Sequence, residues 1–361
     1  MTTVYPKPEY SRKQVQRAGE ILAAAEHLNE EDVDFNRWYE AYLVLSNWRG
    51  CHGYPINTFQ ATLRKKLRKI DPDALVAQRL KRTPSILNKL SRIKGMNLAR
   101  MQDIGGLRAV VMALPQLRTL HLEYKSTVFS HSLVSEYNYV EEPKASGYRS
   151  IHLIYKYKLR HESPYDGLQI ELQMRTRLQH AWATAVETMG TFLQHSLKSS
   201  EGPHEWLNFF SLVSSAFAHI ERTPLVPGYK EMGKAETFRK TREEAERLGV
   251  QEKLERYSRA VRAIPSTGRS RASYHLIELQ LTDDDSNVKI TSFARDKLEE
   301  ANEEYSKAEQ AAKSSGTQVV LVSAGSIESL KRAYPNYFLD THEFLKQLER
   351  ISRSKFSASE I

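Results

Sequence analysis

Residues 168–176 read LQIELQMRT, and this nonapeptide decides the class of fold. Leu168, Ile170, Leu172 and Met174 alternate with Gln169, Glu171, Gln173 and Arg175, the period of a strand with one buried and one polar face. A face carrying a carboxylate, two amides and a guanidinium is either open to water or lines a site; the alternation alone leaves both open. The helical pattern LQHAWATAVETMGTFLQ follows at 178–194. Upstream, GGLRAVVMAL (105–114), TVFSHSLV (127–134) and YRSIHLIYKYKL (148–159) read as further strands. The whole is α+β, a mixed sheet flanked by helices.

Working towards the N-terminus, Ser11 is placed to cap a helix over 12–28, and a second helical pattern covers 34–49. The second is stopped by GCHGYP, and a third runs from near Thr58 until Asp71-Pro72 breaks it. The stretch AQRLKRTPSILNKLSRIKG (77–95) reads as a short basic helix that restarts at Pro84. Towards the C-terminus, Pro203 to Val261 is helical and highly charged. PSTGRSRAS (265–273) is a small-residue linker. A strand–strand–helix–strand series then precedes a last helical pair, which predicts a separate small ββαβ C-terminal domain. The divisions expected are 1–78, 79–200, 201–265 and 272–361.

At 361 residues there is ample material for a packed core and two or three domains. Composition is that of an ordinary globular chain, 40% hydrophobic and 27% charged. Lys and Arg outnumber Asp and Glu by 53 to 44, a net charge of +9, which favours polyanionic partners. The single cysteine, Cys51, excludes an internal disulfide and a cysteine-cluster zinc site, and points to a reducing compartment. With no signal-peptide pattern and no long apolar run, a cytoplasmic protein without membrane association is expected.

Three further segments concentrate polar chemistry. In RLKRTPSILNKL (79–90), Arg79, Lys81 and Arg82 precede a helix start and Lys89 lies two turns on, an arrangement suited to phosphate. In MQDIGGLRAVV (101–111), Asp103 sits just before a buried strand, Gly105 and Gly106 allow close approach, and Arg108 is a charge within apolar neighbours. In PKASGYRSIH (143–152), Gly147 permits a tight turn, Tyr148 offers a flat ring, Lys144 and Arg149 offer charge, and His152 returns to the face of Tyr148 or Ser150.

In order and spacing, RLKRTPSILNKL, QDIGGLR, YVEEPKASGYRSIH and IELQMRTRLQHAWA resemble the synthetase domain of the RelA/SpoT family, from about Arg79 to Met189. The resemblance implies a nucleotidyltransferase-like fold, and transfer of the terminal diphosphate of ATP to a ribose 3′-hydroxyl. It implies Asp103 and Glu171 as catalytic residues and ligands of Mg²⁺, and Arg79, Lys81, Lys89 and Arg108 around ATP. It also implies Lys144, Tyr148, His152, Gln173, Arg175 and His180 around the acceptor, with Tyr148 stacking on its base.

Family members that make alarmones usually carry an Asp where SEYNYVEEPK has Asn138, and the hydrolase half of the long enzymes is missing, for no His-Asp pair occurs. The C-terminal series, with Tyr334 and Tyr337 in AYPNYF, resembles the pseudo-zinc-finger of the CapRel fused toxin–antitoxin proteins. That resemblance implies an autoinhibited enzyme released by a phage capsid protein, with the tRNA 3′-CCA end as acceptor. GDP or GTP as acceptor, in (p)ppGpp synthesis, is the alternative, and a catalytically inactive nucleotide or RNA sensor is the third reading.

Overall fold

The computed structural model describes residues 5–126, 130–193, 197, 201–261, 272–281, 286–294, 296–312, 317–323 and 341–354. Tyr334 and Tyr337 lie outside the described residues.

Three helices come first: α1 (Arg12–Ala25), α2 (Phe35–Cys51) and α3 (Gly53–Ile70). Ser11 caps α1 reciprocally with Gln14, since each side chain engages the other's backbone N–H. GCHGYP is only a one-residue break, at His52, so α3 starts earlier than expected; Asp71 ends it. The predicted basic helix over 77–95 is corrected. Residues Leu75–Leu80 form strand β1, and only Thr83–Arg92 form helix α4, with Pro84 in its first turn. Ala, Gln, Arg and Leu are good helix formers, but pairing along the whole of the next strand overrides that preference.

β2 (Gly105–Val111) and β5 (Gln169–Thr176) are parallel, and lie between β1 and β4 (Ile151–Lys156), both antiparallel to their neighbours. The edge strand β3 is Ser132–Asn138, several residues later than the strand expected at 127–134, and it follows helix α5 (Leu114–Ser126), which sequence periodicity did not single out. Helices α6 (Arg177–Phe192), α7 (His204–Glu221), α8 (Lys234–Arg247) and α9 (Val250–Val261) follow.

The C-terminal series is present as β6 (Ala272–Leu281), β7 (Ser286–Ala294), α10 (Leu298–Ala312) and β8 (Gln318–Ser323), then α11 (His342–Ser352). Its strands do not make a sheet of their own. β8 pairs with β1 at Gln78 and Arg79, giving one eight-stranded sheet in the order β3-β4-β5-β2-β1-β8-β6-β7. One face of the sheet buries Leu107, Ala109, Leu153, Tyr155, Ile170, Leu172 and Met174 against the N-terminal helices. A second core joins Trp182, Trp206, Phe210 and Phe217 of α6 and α7 to Phe344 and Leu348 of α11. No described helix is long and apolar enough to cross a membrane.

Where α10 meets α4, Tyr305 and Glu309 both accept from the backbone N–H of Thr83, at 3.3 and 3.1 Å. The Arg49 guanidinium lies 4.3 Å from the centre of the Tyr305 ring. Glu309 is buried, and its Oε2 makes no hydrogen bond among the described residues. Burial pushes its carboxyl above the usual range, outweighing the pull of Arg49 and of Thr83. A carboxyl raised in the folded state binds its proton more readily folded than unfolded, so its contribution to stability improves as pH falls from neutral. Melts of the wild type and of Glu309→Gln between about pH 7 and pH 4.5 are expected to show the wild type gaining relative to the variant. A difference that stays flat with pH would remove Glu309 from the energetics of this junction.

Candidate functional site

In paired strands, residues directly opposite one another share a face. One cross-strand row therefore runs Tyr137, His152, Gln173, Arg108, Ala77, and the next runs Ile154, Glu171, Gly106, Arg79, Val322. Six of the residues singled out in the sequence, Arg79, Gly106, Arg108, His152, Glu171 and Gln173, from four motifs, thus lie on one face of the sheet.

Five side chains on this face close a ring of hydrogen bonds. Glu171 Oε1 is 2.7 Å from His152 Nδ1, and His152 Nε2 is 2.8 Å from the Tyr148 hydroxyl. Arg175 Nη2 donates to that hydroxyl at 2.7 Å and to Gln173 Oε1 at 3.2 Å. Gln173 Nε2 donates to Glu171 Oε2 at 2.8 Å. Because the Tyr148 oxygen accepts from Arg175, its own proton is available to His152 Nε2. The imidazole then presents Nδ1–H to Glu171, which fixes the carboxylate in place.

Asp103 stands where the chain enters β2. Lys81 Nζ donates to its Oδ2 at 2.9 Å and Lys89 Nζ to its Oδ1 at 3.0 Å, so two of the four cations expected around ATP flank the carboxylate directly. Burial alone would push the Asp103 carboxyl up, but the two ammoniums outweigh it and hold it below the usual range. Burial likewise acts upward on Glu171, and His152 outweighs it; the Asp103 charge is among the influences that Glu171 feels. His152 is pulled down by burial, yet Tyr148 and Glu171 leave it above its usual value. Both acids are therefore ionised at neutral pH, beside cations suited to phosphate.

The remaining expectations divide. Lys144 is exposed and available. Arg79 is part-buried on β1 and Arg108 is buried on β2. His180 is buried in the first turn of α6. Arg175 is 0% exposed, so its guanidinium is committed to Tyr148 and Gln173 and reaches no open space where a phosphate would sit. The open ring expected of Tyr148 is corrected: it is only 5% exposed, because it joins the second core beside Trp182, with Arg175 5.1 Å from its centre. Arg149 is also interior at 3% exposed; it donates to Ser214, Val140 and Thr223 and is a loop anchor rather than a phosphate ligand. Of the glycine pair, Gly105 faces the core, where a Cβ would meet Ile170 at 2.9 Å, and only Gly106 faces the site.

Sequence reasoning missed two groups. Helix α7 clamps the loop: Ser211 Oγ donates to the Ala145 carbonyl at 2.9 Å and Ser214 Oγ to that of Gly147 at 2.6 Å. No pattern in residues 201–265 marks those serines. The second group is aromatic. Tyr139 lies edge-on to both Tyr148 and His152, is stacked with Tyr137, and carries the Lys144 ammonium 4.4 Å from its ring centre. The i, i+2 spacing at the end of a strand was the available signal.

Residues 78–191 match the family described as a region found in RelA / SpoT proteins. A curated relative, GTP pyrophosphokinase YjbM of Bacillus subtilis (strain 168), is 33% identical over 131 residues, 35% of this chain and 56% of that protein. The chain thus spans just over half the length of that relative. The solved structure of small alarmone synthetase 1 from Bacillus subtilis bound to its product pppGpp superposes with a TM-score of 0.41 at 24% identity, over 51% of this chain and 93% of that one. A GTP pyrophosphokinase family protein from Streptococcus pneumoniae gives 0.39 at 23% identity, over 47% and 86%.

Proposed function

We propose, taking residues 78–191 as a RelA/SpoT synthetase region, that the chain is an ATP-dependent diphosphotransferase acting on a ribose 3′-hydroxyl. The observation that carries this is Asp103, held between Lys81 and Lys89 where β2 begins, with its charge felt by Glu171 on the site face of β5. In the reaction the acceptor 3′-oxygen attacks the β-phosphorus of ATP, the bond from that phosphorus to the α-phosphate oxygen breaks, and AMP leaves. The hydroxyl proton passes to a site carboxylate, for which Glu171 is assigned. Lys81, Lys89 and Arg79 oppose the charge spread over the phosphate oxygens.

The donor set fits Mg²⁺. Two carboxylates are hard oxygen ligands, and this ion takes few of them, completing its shell with water and phosphate oxygens. When bound it would neutralise charge on the transferred phosphates. Lys81 and Lys89 keep Asp103 oriented and would turn from it to phosphate as the nucleotide enters.

The acceptor proposed is the 3′-CCA end of tRNA, supported by the basic balance of the chain and the CapRel-like C-terminal order. In this reading the enzyme is a translation-blocking toxin in phage defence, restrained by its own C-terminal strands and released by a phage capsid protein. What supports that restraint is the pairing of β8 beside Arg79 and the bond from Thr83, the first residue of α4, to Glu309 of α10. The alternative acceptor, GDP or GTP, is favoured by the relative named a GTP pyrophosphokinase. Incubating the protein with ATP labelled in its terminal phosphates, deacylated tRNA and GDP separates the two. Label is expected in RNA; label confined to a guanosine nucleotide would replace the tRNA reading with the alternative.

A further inference from the structure

Tyr137 and Tyr139 form the one stacked aromatic pair at the rim of the site that is open to solvent among the described residues. Their rings are 5° from parallel, with centroids 5.9 Å apart. Tyr137 is 43% exposed, although it sits directly opposite His152 in the sheet, in the same cross-strand row as Gln173 and Arg108. Tyr139 stands between it and the Glu171–His152–Tyr148 ring, edge-on to both His152 and Tyr148. A large exposed aromatic on an edge strand is a cost in solubility, and here its inner neighbour already carries a cation, Lys144. Parallel rings with an adjacent ammonium are the elements of a surface that stacks successive bases and holds the phosphate between them.

We infer that Tyr137 and Tyr139 with Lys144 are a second acceptor subsite, which receives the base next to the terminal nucleoside of a single-stranded polynucleotide. The terminal nucleoside occupies the space at Glu171 and His152, and the neighbouring base lies on the exposed ring of Tyr137. Lys144 faces the linking phosphate. A mononucleotide has no second base and gains nothing from this ladder, so Tyr137 discriminates between classes of acceptor rather than assisting transfer itself. The inference rests on the proposed function for the identity of the terminal subsite, and deepens it by naming the length and chemistry of the acceptor.

The test separates binding from turnover. A short single-stranded oligoribonucleotide ending in CCA, and GDP as a second probe, are titrated against the full-length protein without ATP. Tyr137→Ala is expected to weaken the oligonucleotide about tenfold and to leave GDP unchanged, since one base–aromatic stack gives roughly a 5- to 150-fold change in affinity. Tyr137→Trp is expected to keep the oligonucleotide affinity. Because Tyr137 is exposed on an edge strand, a melt matching wild type verifies that the alanine variant is folded. Oligonucleotide affinity unchanged in folded Tyr137→Ala, or lost in parallel with GDP affinity, would overturn the inference. If the labelling experiment marks only GDP while Tyr137→Ala still loses the oligonucleotide selectively, the proposed acceptor fails and the subsite stands.

Discussion

Glu171→Gln is expected to lower the turnover of the proposed diphosphate transfer by about a hundred- to ten-thousandfold, with a much smaller change in KM for ATP. The amide oxygen can still accept from His152 Nδ1, so the ring of bonds closes on that side and the fold is kept. What disappears is the negative charge and the ability to take the acceptor proton. The amide also sets an N–H₂ group against that of Gln173, a local mismatch worth about 1–3 kcal/mol unless Gln173 flips. Asp103→Asn is the companion substitution, and leaves Lys81 and Lys89 facing a neutral group. Steady-state kinetics with a melt of each variant checks both. A Glu171→Gln enzyme that turns over normally would take the carboxylate out of the chemistry and leave it a structural partner of His152.

The second large effect lies in the loop. Gly147 has φ of +89°, a conformation that side chains with a Cβ rarely adopt. A Cβ there would also stand 2.7 Å from Ser214 Cβ, 3.0 Å from Trp182 and 3.1 Å from the Ser211 Cα. Backbone strain and overpacking together predict that Gly147→Ala loses roughly 2–4 kcal/mol of stability. Relief of the clash must lift the loop off α7, which carries Tyr148 away from Arg175 and His152. A displacement of about 1 Å at a site of this kind costs around a hundredfold in rate. Denaturant melts and turnover of the alanine variant measure the two losses. If both match wild type, the clamp of Ser211 and Ser214 on this loop is not part of the working enzyme.

Much of this was legible from local pattern. LQIELQMRT became β5 with its polar residues on the site face, because alternation on a half-buried strand needs no knowledge of neighbours. Asp103 is legible as an acid just ahead of a buried strand and Glu171 as one within a strand, and they belong to the same electrostatic neighbourhood. Less legible was the direction of each ring and cation. Tyr148 and Arg149 look exposed in PKASGYRSIH because the loop is polar, yet α7, more than fifty residues later, covers them. The composition of residues 77–80 favours helix, whereas β2 and β8 make them a central strand.

By itself, then, the amino-acid order determined the class of fold, the strand that carries Glu171 and the one that Asp103 precedes, and the residue types able to handle phosphate, since these depend on short-range periodicity and on chemistry carried by the side chains. Only the tertiary structure decided that Arg175 and Tyr148 are interior props, that Tyr137 and Tyr139 are the accessible rings, and that the C-terminal strands extend the sheet instead of standing apart. Burial and strand pairing are made by segments distant in the chain, and no local window contains the partner that covers a ring or completes an edge.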